Sequence, residues 1–74
     1  MGEKLAPPVE CYSGSAYAEH PIAVHWDGQR VEIVAIIERW RTPGQICFRV
    51  RAEDDRRFEL FYNELNDLWE VNEV

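Results

Sequence analysis

Several features that common functional classes require are scarce in this chain. Its 74 residues include one lysine, two cysteines and two histidines. Two cysteines in so short a chain do not form the disulfide framework of a small secreted domain, and no apolar stretch approaches the length of a membrane span. We therefore predict a cytoplasmic protein without a membrane partner. The length leaves room for only one hydrophobic core, so we expect a single domain, and we expect it to be a monomer.

Metal-ligating and nucleophilic residues are too few and too far apart to indicate a site. The soft ligands are Cys11, His20, His25 and Cys47. None of these residues lies at the paired spacing of a zinc site. A Cys47 nucleophile paired with His25 would need a glycine-rich turn or a helix N-terminus to activate the thiol, and the sequence around Cys47 contains neither signal. We therefore expect no metal, no cofactor and no enzymatic activity.

The period-two alternation of strands is abundant. Ile22, Val24 and Trp26 alternate with less apolar residues, which is typical of a half-buried strand. Asp27-Gly28 then gives the strongest short-range signal for a β-hairpin. The same pattern predicts strands over residues 9–12, about 20–26, 29 to about 40, 45–52 and 57–62, followed by a short strand around residues 69–71.

The apolar run from Val31 to Ile37 allows a helix as the competing interpretation. Five of its seven residues are β-branched, which favours a strand, and the Asp-Gly turn needs a pairing strand on this side. We therefore predict a strand. The alternation breaks near Val34, and this break indicates a β-bulge or a strong bend.

Short connections between all strands predict that sequence neighbours pair in space. We expect an all-β fold, a small antiparallel meander of five strands, with a possible sixth at the front, curled into an SH3-like barrel or roll. This single β domain spans residues 9–74 and follows a flexible arm over residues 1–8, which contains Pro7-Pro8. Six large aromatic residues are assigned to its core: Trp26, Trp40, Phe48, Phe58, Tyr62 and Trp69.

The charge is unevenly distributed along the chain. The net charge of −6 disfavours a general nucleic-acid binder, yet residues 39–57 carry six arginines against three acids. Guanidinium groups bind phosphate or carboxylate through two parallel hydrogen bonds and stack on rings. We predict a binding surface on the non-core side of the sheet, formed by Arg39, Trp40, Arg41, Arg49, Arg51 and Arg57.

Two other interpretations of these residues stay open. The arginines can instead pair across strands with Glu32, Glu38 and Glu59, each pair contributing less than about 1 kcal/mol. A protein–protein adaptor without a nucleic-acid role is the alternative function. Such an adaptor binds through an exposed edge strand or through Tyr12 and Tyr17, which lie outside the regular strands.

Several short motifs together resemble a known family. They are Tyr17-Ala18-Glu19-His20-Pro21, Trp26-x-Gly28-x-Arg30, Ile37-x-Arg39-Trp40-Arg41, Phe48-Arg49-Val50-Arg51-Ala52-Glu53-Asp54, Phe58-Glu59-Leu60 and Trp69. The chain resembles short bacterial domains of unknown function that occur alone or beside Y-family polymerase-like proteins of mutagenic repair. That family has no assigned activity, and the resemblance implies an accessory to DNA repair or damage tolerance, whose arginine surface meets nucleic acid or a DNA-repair protein. Asp54-Asp55-Arg56 stands where that family more often has an Asp-Gly turn, so we expect a looser hairpin there.

Overall fold

The structure is a computed structural model that describes residues 8–11 and 20–74. Its regular elements in that part of the chain are all strands: β1 (Val9–Cys11), β2 (Pro21–Trp26), β3 (Gln29–Thr42), β4 (Gln45–Ala52), β5 (Arg57–Asn63) and β6 (Leu68–Glu73). Each strand pairs antiparallel with the next, in the sheet order β1-β2-β3-β4-β5-β6. The predicted all-β meander is confirmed, with six strands curled into a half-barrel. The predicted bounds of β4 are correct to the residue.

Two-residue turns set the registers on either side of β3. Asp27 and Gly28 both have positive φ, 54° and 79°, the signature of the tight turn whose twist matches a hairpin. Trp26 therefore faces Gln29 across the turn. At the other end of β3, Gly44 has φ 81° and Thr42 faces Gln45. The strand is thus fixed at both ends by residues that the sequence identifies.

The core lies inside the curl, between the first three strands and the last three. Val9, Val24 and Val31 from the first part pack against Phe48, Phe58 and Leu60 from the second. Trp26 meets Phe58 edge to face, with ring centroids 5.4 Å apart. Tyr62 and Trp69 pack partly buried against the same cluster.

Two bulges in β3 decide which way its later side chains point. The register with β4 shifts between Ile33 and Ala35 and again between Ile36 and Glu38. The first shift confirms the predicted break near Val34. Each extra residue moves the following side chains to the other side of the strand, so the second bulge, at Ile37, restores the original alternation. We call the side of the sheet that carries Phe48 the core face and the opposite side the outer face.

Two predictions fall mainly on residues that the structure does not describe. Tyr12 and Tyr17, the candidate adaptor residues, lie outside the described residues, and so does the predicted arm apart from Pro8. The Pro8 carbonyl accepts a hydrogen bond of 2.8 Å from the backbone N–H of His25.

Candidate binding surfaces

The six predicted binding residues do not share one face. Trp40, Arg49, Arg51 and Arg57 lie on the outer face, as the strand registers show. Arg39 and Arg41 lie on the core face, opposite Phe48 and Ile46. The prediction of a single arginine face is therefore wrong for these two side chains, because the second bulge reverses the change of side that the first one causes.

Arg49 lies at the centre of the outer face, and its guanidinium already contacts two carboxylates and an aromatic ring. Its Nη1 donates to Glu38 Oε1 at 2.9 Å, and its Nε and Nη2 donate to Glu59 Oε2 at 3.2 and 2.7 Å. Its guanidinium carbon lies 5.7 Å from the centroid of the Trp40 ring. The hydrogen bond with Glu59 raises the pKa of Arg49 above its ordinary value. This cross-strand pairing is the alternative that the sequence left open, and it is confirmed for Glu38 and Glu59.

The rest of the outer face is balanced in charge. Arg51 lies 3.7 Å from Asp55 Oδ1, and no carboxylate among the described residues lies within ion-pair distance of Arg57. Across β3 to β6 this face carries as many acids as arginines: Arg30, Arg49, Arg51 and Arg57 with Glu32, Glu38, Glu59 and Glu70. The net charge of the outer face is therefore about zero, whereas binding to a nucleic-acid backbone requires a positive surface.

Trp40 belongs to the outer face and not to the core. It lies directly across from Cys47, which in turn faces Phe61 on the next strand. The rings of Trp40 and Phe61 are 6.3 Å apart and nearly perpendicular, although two strand spacings, about 9.6 Å, separate their backbones. The two rings therefore lean toward each other above Cys47, which is fully buried. The prediction that Trp40 is a core residue is wrong for this reason.

Arg39 and Arg41 lie side by side at the rim of the core face. Arg39 covers the buried Phe48 ring, with its guanidinium carbon 5.8 Å from the ring centroid. Arg41 donates to Glu64 at 3.1 Å, and 62% of its side chain is exposed. Among residues 8–11 and 20–74, no carboxylate lies within ion-pair distance of Arg39.

One edge of β3 has no partner strand in the described part of the chain. The strand pairs with β2 only over Gln29–Glu32, whereas Ile33–Thr42 pairs with β4 alone. We call the side of Ile33–Thr42 that faces away from β4 the β3 edge. The alternative prediction of an exposed edge strand did not specify which strand forms it. The signal for it was the length of β3, since a strand of fourteen residues outruns a neighbour of six.

An apolar groove opens where β2 and β3 separate. It has a volume of about 200 Å³ and is lined by His20, Pro21, Ile22 and the segment from Ile33 to Ile36. The two bulge residues beside it are unusually exposed for their type, Val34 by 53% and Ile37 by 50%. We call this feature the β2–β3 groove. It lies at one end of the β3 edge.

A polar cluster joins β1 to the next two strands. His25 Nε2 lies 2.6 Å from Glu10 Oε2, and Arg30 Nε donates to the same oxygen at 3.0 Å. Arg30 also reaches Glu32 at 3.5 Å. The hydrogen bond from Arg30, followed by that from His25, lowers the pKa of Glu10 below its ordinary value. The cluster fixes a strand of only three residues.

The two cysteines lie in different parts of the structure. Cys11 packs against the core, whereas Cys47 lies on the outer face, and both are thiols. Within the described ranges, no group of three or more His, Cys, Asp or Glu side chains is arranged to hold a metal ion. No helix in residues 8–11 and 20–74 is long and apolar enough to span a membrane.

Comparisons with known proteins give no relative for this chain. No protein-family model matches it, and neither a curated protein nor a solved structure does so. The resemblance to short bacterial domains near repair polymerases stays a prediction.

Proposed function

We propose that this chain is a non-enzymatic, cytoplasmic binding module that captures an extended segment of a partner protein by adding it as a strand to the β3 edge. The observation that carries the proposal is that β3, from Ile33 to Thr42, pairs on one side alone within the described residues. Strand addition uses main-chain hydrogen bonds for affinity and the flanking side chains for specificity.

The backbone groups along this edge have the spacing that an added strand needs. In an antiparallel pair, hydrogen-bonded and non-hydrogen-bonded residue pairs alternate. Thr42 and Gln45 close the two-residue turn and form a hydrogen-bonded pair. Counting back from this pair, Arg41 and Arg39 have N–H and C=O groups that point away from β4. These two residues therefore present the donors and acceptors of the β3 edge.

Exposed apolar groups add to the case for a protein partner. Val34 and Ile37 are both about half exposed, and the β2–β3 groove next to them offers about 200 Å³. Burying such side chains contributes roughly 25 cal/mol for each Å² removed from water. An extended protein segment provides both the apolar side chains and the backbone groups that these features match.

Nucleic-acid binding, as an accessory to DNA repair, has less support. Arg49, Arg51 and Arg41 each face a carboxylate within 4 Å, and Arg39 lies on the other side of the sheet from Arg57. Titration with a single-stranded DNA oligonucleotide at low and moderate salt tests this version. Binding that weakens steeply with salt supports it, because phosphate contacts release counterions. Absence of binding at low salt eliminates it.

Strand addition is tested with isotopically labelled protein and a peptide of about seven residues, a common strand length, that alternates valine and glutamine. We expect the amide protons of Arg39 and Arg41 to shift in NMR spectra and to exchange more slowly with solvent when the peptide is bound. Shifts confined to β1 or β6, or no shift at the β3 edge, contradict the proposal.

A matched pair of variants distinguishes the backbone contribution to peptide binding from that of the side chain. Arg41→Pro removes the outward N–H, at an edge position where proline is tolerated, whereas Arg41→Ala keeps that N–H and loses only the side chain. We expect peptide binding to survive in Arg41→Ala and to disappear in Arg41→Pro. Should Arg41→Pro fail to fold, Val34→Lys with Ile37→Lys serves instead, because lysines on an edge oppose strand pairing. Undiminished binding in the folded edge variant overturns the proposal.

A further inference from the structure

We infer that the captured segment carries acidic residues at alternate positions, opposite Arg39 and Arg41, and this inference rests on the proposed function. The two arginines are two residues apart on the same side of β3, so their Cα atoms are separated by about 7 Å along the strand. Alternate residues of an added strand share this spacing and side. A segment in which every second residue is acidic therefore places one carboxylate beside each guanidinium.

The local charges support an acidic ligand over a neutral one. Arg39 has no carboxylate within ion-pair distance among the described residues, although its guanidinium carbon lies over the Phe48 ring. Arg41 has Glu64 as its partner, but the Arg41 side chain is 62% exposed, and exposed pairs exchange partners at little cost. Both guanidinium groups are therefore able to bind a carboxylate of the ligand.

The other side of the same edge sets what the intervening residues of the ligand can be. Glu38 and Trp40 point to the outer face there, and Glu38 is already bonded to Arg49. A further acid beside Glu38 would be repelled, whereas an apolar residue would pack beside Trp40. The preferred segment thus alternates acidic residues on the core-face side with apolar residues on the outer-face side.

The net charge of −6 works against any acidic ligand at long range. At physiological ionic strength the screening length is about 8 Å. The distant acids of the chain are then largely screened, whereas direct pairs at Arg39 and Arg41 are not. The local preference is therefore measured at that ionic strength.

The test compares three peptides of about seven residues, a common strand length, in which valine alternates with glutamate, glutamine or lysine. We expect the glutamate peptide to bind roughly five-fold more tightly than its glutamine counterpart, which corresponds to two exposed ion pairs, and the lysine peptide to bind more weakly than either. Equal affinity for glutamate and glutamine peptides overturns the inference. If both bind at the β3 edge, the proposed function stands without the acidic preference; if neither peptide binds there, the proposed function itself fails.

Variants assign the preference to the core-face arginines. Arg39→Gln should reduce the glutamate preference to about two-fold, the share of one remaining exposed pair, and Arg39→Lys should keep it. Arg57→Gln is the matched control, because Arg57 is also exposed and also lacks a carboxylate among the described residues, but it lies on the outer face. A preference that falls equally in Arg57→Gln and Arg39→Gln reports only overall charge and overturns the inference. Tighter, Arg39-dependent binding of an oligonucleotide than of the glutamate peptide overturns it in favour of a phosphate ligand.

Discussion

Arg49 and Glu59 lie directly opposite each other on β4 and β5, and two nitrogens of the guanidinium share one carboxylate oxygen. The pair satisfies the arginine that the sequence places at the centre of the predicted binding surface. Arg49 also holds Glu38 and lies over Trp40. Arg49 therefore connects neighbouring strands, and the residues that we propose bind a partner lie elsewhere.

A double-mutant cycle on Arg49 and Glu59 should measure this connection. We expect Arg49→Ala and Glu59→Ala to couple by about 0.5–1 kcal/mol in urea denaturation, because both side chains are partly exposed and water screens the pair. The matched pair is Arg51 and Asp55, at 3.7 Å and with the aspartate far more exposed, which should couple by less than about 0.5 kcal/mol. A coupling for Arg49 and Glu59 no larger than that of Arg51 and Asp55 would contradict their structural role.

The second prediction concerns acid and the attachment of β1. The pKa of Glu10 is lowered in the folded chain, first by the hydrogen bond from Arg30 and then by that from His25. A lowered pKa means that the ionised form stabilises the fold above the pKa of unfolded glutamate, about 4.3, and that this contribution disappears as pH falls through the lower folded value. Glu10→Gln should therefore cost stability at about pH 7 and little at about pH 3.

Urea midpoints of both proteins across this range check the Glu10 prediction. Glu32→Gln is the control, because Glu32 belongs to the same cluster and lies 3.5 Å from Arg30. A Glu10→Gln difference that is constant from neutral to acid pH would show that the carboxylate charge is not what fixes β1.

The third prediction uses the chemistry of the two thiols. Burial raises the pKa of Cys47, so a smaller fraction of it is the reactive thiolate at a given pH. Cys11 is only half-buried. Iodoacetamide should therefore alkylate Cys11 well before Cys47 in the folded protein, as mass spectrometry of the digested chain would show. Trp40→Ala should accelerate alkylation of Cys47 and leave the Cys11 rate unchanged, because the Trp40 and Phe61 rings lean over Cys47.

Much of the fold follows from alternation and turn chemistry alone. β4 alternates without interruption from Ile46 to Val50, so its bounds and faces were predicted correctly. Glu59 lies directly opposite Arg49 in the structure, and the pairing of arginines with Glu59 was one of the alternatives that the sequence left open. Such predictions succeed where every side chain agrees with a single register.

The candidate site was predicted less well, because it depends on bulges. Between Val34 and Ile37 four apolar residues follow one another, and such a run is compatible with zero, one or two extra residues. One bulge would carry Arg39 and Arg41 to the outer face, and two leave them on the core face. Only the pairing with β4 fixes the number. The partner of Arg41 is Glu64, beyond two further strands, which local patterns do not reveal.

The last prediction compares two phenylalanines of β5 that point to opposite faces. Phe58 is fully buried and meets the Trp26 ring at 5.4 Å, so Phe58→Ala should cost about 3–5 kcal/mol. A domain of this length has a total stability of roughly 4–11 kcal/mol, so this variant should lose a large part of its free energy of unfolding. Phe61→Ala removes a half-buried ring that meets the outer-face Trp40, and should cost about half as much or less. Urea denaturation followed by tryptophan fluorescence measures both. Equal losses for the two variants would mean that the outer-face aromatic pair is a second core. Trp40 would then be less available to contact a strand bound at the β3 edge.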